Sequence, residues 1–134
     1  MASVVIIIPN WNGRHLLSRC LSALQSQTFQ DFQALVVDNG STDASVGYVR
    51  EHFPEVRVLD NDHNCGFAAA INRGICETES VYIATLNNDT IADPEWLQTL
   101  VKAVEQDEPI GMVASKMLFA DRPQMINSAG ICLD

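Results

Sequence analysis

An alternation of two hydrophobic periods constrains this chain more than any other feature. Ser3 to Pro9 is an unbroken, mostly β-branched run, the pattern of a strand buried on both faces. The turn cluster Asn10-Trp11-Asn12-Gly13 ends it. Leu17, Cys20, Leu21 and Leu24 then recur at helical spacing, to about Gln27. Phe32 to Val37 reads as a second strand, closed by Asp38-Asn39-Gly40-Ser41-Thr42-Asp43. Ser41, Thr42 or Asp43 can cap a helix that reaches about Phe53. Val56 to Leu59 is a short third strand, Asp60 to Gly66 a polar loop, and Phe67, Ile71 and Ile75 mark a third helix. Val81 to Leu86 is a fourth strand, followed by Asn87-Asn88-Asp89-Thr90. Asp93-Pro94-Glu95 opens a helix whose stripe is Leu97, Leu100, Val101 and Val104. Ile110 to Ser115 reads as a fifth strand. Beyond it the pattern weakens: Met117-Leu118-Phe119 is apolar, Asp121-Arg122-Pro123 is a turn, and Ile126 to Leu133 can start another strand.

This alternation implies an α/β fold, a mostly parallel Rossmann-like sheet with right-handed crossovers and helices on both faces. Ligands of such sheets bind beyond the carboxyl ends of the strands. The polar clusters after strands one to four all fall there. No repeat or linker divides the chain, and residues 1–134 suit a single domain.

Composition removes several classes. With 8 Lys+Arg against 17 Asp+Glu, a net charge of −9 excludes a nucleic-acid partner, which needs a basic footprint. The same charge repels a phosphate-bearing ligand, so a metal ion, a helix N-terminus or a placed Arg must reverse the sign locally. The longest apolar run, Val4 to Ile8, is too short for a membrane helix. No basic n-region or small-residue cleavage site marks a signal peptide. Cys20, Cys65, Cys76 and Cys132 form no C-x-x-C pair, which argues against zinc. They read as buried reduced thiols, although counting leaves a disulfide pair open. A G-x-G-x-x-G turn is absent after strand one, and no G-K-S/T follows any strand, which excludes dinucleotide and P-loop sites. His15, His52 and His63 lie in different elements and suggest no triad; His63 reads as solvent-facing.

Three positions remain as candidates. Asp38 can accept hydrogen bonds from a base or ribose, or can shape an Asx turn with Asn39-Gly40. Asp89, with Asn87 adding a carbonyl oxygen, can offer hard oxygen ligands to a divalent cation shared with phosphates, or belong to a capped loop. Arg73 can reach a phosphate or remain a solvated helix charge. Asn72 and Gly74 beside it are poor helix formers, which favours function.

Four motifs in order resemble family 2 glycosyltransferases of the GT-A fold. They are Val4 to Gly13, Val36 to Asp43, Asn64 to Ile75 with Gly66-Phe67-Ala68 and Asn72-Arg73-Gly74, and Leu86-Asn87-Asn88-Asp89-Thr90. The resemblance implies a nucleoside-diphosphate sugar donor, dTDP- or UDP-linked. Pro9, Asn10, Asn12, Asp38, Asn39, Gly66, Arg73 and Asn88 would line its site, with Asp38 bonding the base and Arg73 near the diphosphate or ribose. Asp89 and Asn87 would hold Mg²⁺ or Mn²⁺, Asn87 standing where the D-x-D motif has its first acid. The Asn-Trp-Asn-Gly turn looks like the rhamnosyltransferase branch. The implied reaction inverts the anomeric centre and moves a sugar to a hydroxyl of a glycan or lipid-linked acceptor, with the base expected beyond Asp134. The implied place is cytoplasmic, with peripheral association at the inner membrane face and oligomerisation as options. A nucleotide-sugar-forming nucleotidyltransferase and a non-catalytic binding module are the alternatives.

Overall fold

The computed structural model describes residues 2–106 and 110–129. Strands β1 (Val4–Asn10), β2 (Phe32–Asp38), β3 (Arg57–Asp60) and β4 (Tyr82–Thr85) form one sheet in the order β3-β2-β1-β4. Every pairing in it is parallel. Helices α1 (Arg14–Gln25), α2 (Ser45–His52), α3 (Phe67–Cys76) and α4 (Trp96–Val104) supply the connections. A parallel ladder places all four strand ends at one edge, so the four polar loops lie side by side.

Strand alternation divides the core into two layers. Val4, Ile6, Ile8, Ala34 and Val36 pack with Leu17, Cys20, Leu21 and Leu24 of α1, Val49 of α2, and Leu97 and Val101 of α4. Val5, Ile7, Leu35 and Val37 meet Ala70 and Ile71 of α3 on the other face. Small residues let α3 approach closely: a Cβ added at Gly74 would lie 2.8 Å from Ile7 Cγ2. Among the described residues, α3 is the helix that covers this second face. Ile83, paired with Val5, stays exposed there, as does Val81 before it. β4 also ends the sheet, with its outer edge unpaired among the described residues.

Three expectations need correction. Ile110 to Ser115 is irregular chain, not a strand. The flanking residues instead form a small antiparallel pair, β5 (Met117–Leu118) with β6 (Ile126–Ser128). The apolar run at 110–115 ladders with no strand among the described residues, although the outer edge of β4 is unpaired there. The continuation of β6 toward Leu133 lies partly outside the described residues. Second, α2 is not capped by Ser41 or Thr42. Its N-cap is Ala44 at φ 62°, and Asp43 reaches the Ser45 N–H at 3.0 Å. Third, the cysteines are not uniformly buried. Cys20, Cys65 and Cys76 are all free thiols, of which only Cys20 is buried; Cys132 lies outside the described residues. In α4, Leu97 and Val101 are buried while Leu100 and Val104 are half-buried.

Burial pushes the Cys20 thiol up to about 11, with the nearby Asp89 charge adding to the effect. The folded state therefore holds this proton more tightly than the unfolded chain does. Stability from the protonated thiol is complete below pH 9 and is lost as pH rises toward 11, by about 1.4 kcal/mol per unit in that window. Urea melts at pH 8 and pH 10.5 should show the drop. Iodoacetamide at pH 8 should label Cys65 and Cys76 in the native chain, and Cys20 only in urea, as read by peptide mass.

Candidate functional site at the strand ends

In-register pairing builds the site. Asn10 ends β1 opposite Asp38, and Asp38 lies opposite Asp60 of β3. The ladder continues one residue further, with Asn39 N donating to Asn10 O (2.8 Å) and Asn61 N to Asp38 O (2.8 Å). Successive side chains point to opposite faces, so Asn10 and Asp38 share the α1 side while Asn39 and Asn61 share the α3 side.

On the α1 side, Asp38 is 0% exposed. Its Oδ1 accepts from Asn10 Nδ2 (2.7 Å) and Ser41 Oγ (2.7 Å), and its Oδ2 accepts from Ser41 N (2.7 Å). Asn88 Nδ2 donates to Asn10 Oδ1 at 2.8 Å, tying the loop after β4 into the same network. Gly13 passes so close that a Cβ there would run into Asn88 Nδ2 and Asn10 Oδ1. Asn12, at φ 49°, accepts from Thr42 N (2.8 Å) and donates its own N–H to Ser41 Oγ (2.8 Å). Asp43 braces the outer rim. Burial raises its carboxyl, but hydrogen bonds from the Ser45 hydroxyl, Arg14 N–H and Ser45 N–H outweigh that and hold it below the ordinary carboxylate value.

On the α3 side, Asn39 Oδ1 accepts from Asn61 Nδ2 (2.7 Å) and the Cys65 thiol (3.1 Å), and Asn39 Nδ2 donates to Gly66 O (3.2 Å). Arg73 Nη1 donates to Asp60 O (3.0 Å) and to Asn61 Oδ1. Among the described residues Arg73 forms no ion pair with a carboxylate. It is thus a positive charge at the rim of an acidic protein whose pull on an anion is not already neutralised.

Asn87 and Asp89 stand exposed beyond β4. The Asn87 carbonyl accepts from Thr90 Oγ1 (2.6 Å), while the Asp89 carboxylate accepts no hydrogen bond from the described residues. One open carboxylate with a neighbouring carboxamide fits a hard cation that shares its remaining positions with phosphate oxygens. Among the described residues no cluster of three or more His, Cys, Asp or Glu forms a complete protein cage.

The structure brings together Asn10, Asp38 and Asn88 in one network and Asn39, Gly66 and Arg73 in another. Asn12 meets the first through Ser41. Pro9, one residue inside β1, follows Ile8 and lies opposite Val37. Read from sequence, Asn61 has no role, Ser41 is only a possible helix cap and Cys65 only a thiol, so none of the three is a site candidate there. Asn61 carried a signal: Asp-Asn follows β2 as Asp38-Asn39 and closes β3 as Asp60-Asn61.

The glycosyl transferase family 2 model matches residues 5–123. The chain belongs to glycosyl transferase family 2. Among relatives, an uncharacterized glycosyltransferase of Haemophilus influenzae is 25% identical over 115 residues, covering 84% of this chain and 36% of its own length. Glycosyltransferase GlyA of Streptococcus pneumoniae is 31% identical over 104 residues, 75% of this chain and 15% of that protein. This family 2 chain therefore spans about a third or less of these relatives. Solved structures share the fold. TarS 1-349 of S. aureus in complex with UDP-GlcNAc superposes with a TM-score of 0.72 at 21% identity, covering 78% of this chain and 31% of TarS. The mannosyltransferase PcManGT of Pyrobaculum calidifontis, in complex with GDP-Man and Mn2+, gives 0.72 at 22% identity, covering 78% and 33%. No helix among the described residues is long and apolar enough to cross a membrane.

Proposed function

We propose that residues 1–134 form the donor-binding part of an inverting glycosyltransferase that uses a nucleoside-diphosphate sugar, dTDP- or UDP-linked. The observation that carries this reading is the convergence of Asn10, Asp38, Asn39, Asn88 and Arg73 at one sheet edge, with the open Asp89 carboxylate beside them. The neighbours' complexes with UDP-GlcNAc and GDP-Man support the ligand class. The rhamnosyl branch rests on the Asn10 to Gly13 turn.

The roles follow from what is free to act. Asp38, Asn10 and Asn39 are buried and mutually bonded, so they shape the floor of the site and the backbone of Pro9 and Asn10 faces the nucleoside. Asn12, Gly66 and Asn88 border the floor. Arg73 offers the diphosphate a positive charge. Asp89 and Asn87 would hold Mg²⁺ or Mn²⁺, which offsets charge developing on the departing nucleoside diphosphate. The new glycosidic C–O bond forms as the bond to the diphosphate oxygen breaks, and a base takes the acceptor's hydroxyl proton. That base, and the part that binds a glycan or lipid-linked acceptor, belong to polypeptide beyond Asp134. Val81 and Ile83, exposed, and the β4 edge, unpaired among the described residues, support a longer sheet. A cytoplasmic site of action, at the inner membrane face, completes the reading.

The test is thermal. UDP or dTDP with Mn²⁺, at about a hundred times Kd, should add about 2.7 kcal/mol and raise Tm by several degrees. Asp89→Ala should abolish the manganese-dependent part of that shift while leaving the Tm of the ligand-free chain unchanged. A wild-type chain whose Tm ignores both nucleotides rules the reading out.

A further inference from the structure

We propose that Asn61, which bonds to two of the residues assigned to the donor, is a positioning residue that orients Asn39 and Arg73 toward the nucleotide. The proposal rests on the nucleotide-binding reading and assigns a determinant of it. Asn61 is buried, and its carboxamide is fully used. Its two N–H groups go to Asn39 Oδ1 (2.7 Å) and Cys65 Sγ (3.3 Å), and its oxygen receives Arg73 Nη1. A guanidinium can only donate, so Arg73 forces the oxygen of Asn61 toward itself. The amide of Asn61 must then face Asn39, which in turn must present its oxygen to Asn61 and its own amide to Gly66 O (3.2 Å). Reversing any one of these carboxamides would oppose oxygen to oxygen or donor to donor. The chain Arg73–Asn61–Asn39–Gly66 is therefore directional. It ties the loop after β2, the loop after β3 and the start of α3 into one rigid arc at the strand ends. Among the described residues Arg73 is anchored through Nη1, to Asn61 and to Asp60 O, which leaves its other donors for an anion.

The experiment compares wild type, Asn61→Ala and Asn61→Asp for binding of UDP with Mn²⁺, and of uridine, by calorimetry at 10 °C. Circular dichroism checks that each is folded there. Asn61→Ala should weaken UDP about ten-fold, the equivalent of one well-made hydrogen bond to a charged group. Asn61→Asp is nearly isosteric, keeps an acceptor for Arg73 and turns an oxygen on Asn39. It should also weaken UDP, and it decides the matter if the alanine variant does not fold. Uridine should lose less than UDP in Asn61→Ala, because the freed guanidinium acts on phosphate. A purely structural role would lower Tm and leave both affinities at 10 °C unchanged, which overturns the proposal while nucleotide binding by the wild type stands. A wild type that binds neither probe overturns the nucleotide reading itself, and this proposal with it.

Discussion

Asp38→Ala is expected to cost about 4 kcal/mol of folding stability, a large share of what a domain of this size possesses. The carboxylate is wholly buried and accepts three hydrogen bonds, from Asn10 Nδ2, Ser41 Oγ and Ser41 N. Alanine removes the common acceptor of the buried Asn10 amide and of the half-buried Ser41 hydroxyl and N–H, and an unmet buried donor costs more than a made bond returns. Asp38→Asn keeps the shape and one acceptor oxygen, so it should cost less, about 1–2 kcal/mol. Urea denaturation of the three proteins gives the comparison. A loss below about 1 kcal/mol for the alanine variant would show that Ser41 and Asn10 re-pair without it. The same variant should disturb the Asn10–Asn88 contact, and so loosen the loop that carries Asp89.

Gly40→Ala is the second large effect, expected at about 2–4 kcal/mol. Gly40 holds φ +71°, where a side chain costs about 1–2 kcal/mol by itself. A Cβ there would also lie 2.9 Å from His63 Cα and 3.1 Å from His63 N. Those atoms are backbone, so relief requires the loop after β3 to move away from the loop after β2. That movement pulls Asn61 off Asn39, and nucleotide affinity should fall along with Tm. Gly47 provides the control. It lies inside α2 with nothing within 4 Å of its Cβ direction, so Gly47→Ala should stabilise by about 1 kcal/mol through helix propensity. Equal Tm values for the two alanine variants would defeat this account of the loop contact.

The rim also explains how an acidic chain can face an acidic ligand. The net charge of −9 is unfavourable at long range. Within the site, Asp38 is spent on internal hydrogen bonds and Asp43 on the rim of α1 and α2, while Arg73 pairs with no carboxylate among the described residues. Asp89 is an open acid at this edge, and a divalent cation there inverts its sign.

Local chemistry determined most of the scaffold. The β-branched run at 3–9 reads as a doubly buried strand, and the helical spacing between it and the later apolar runs demands crossovers, so the parallel sheet and its polar edge were readable from residue order. Asp38 and Asp89 were readable as candidates from their places at the strand ends, and Arg73 from the poor helix formers Asn72 and Gly74 beside it. Three things were decided only by packing. The run from Ile110 to Ser115 is apolar enough to read as a strand, but tertiary packing leaves it irregular and off the unpaired β4 edge. Among the described cysteines, Cys20 is buried because its face of α1 meets the sheet, whereas Cys65, in the loop before α3, and Cys76, at the end of α3, stay exposed, a matter of docking. Asn61 pairs with Asn39, a residue 22 positions away, because strand register sets Asp38 against Asp60. Register arises from the summed fit of whole strands, so it brings distant carboxamides together in a way that no local stretch of chain encodes.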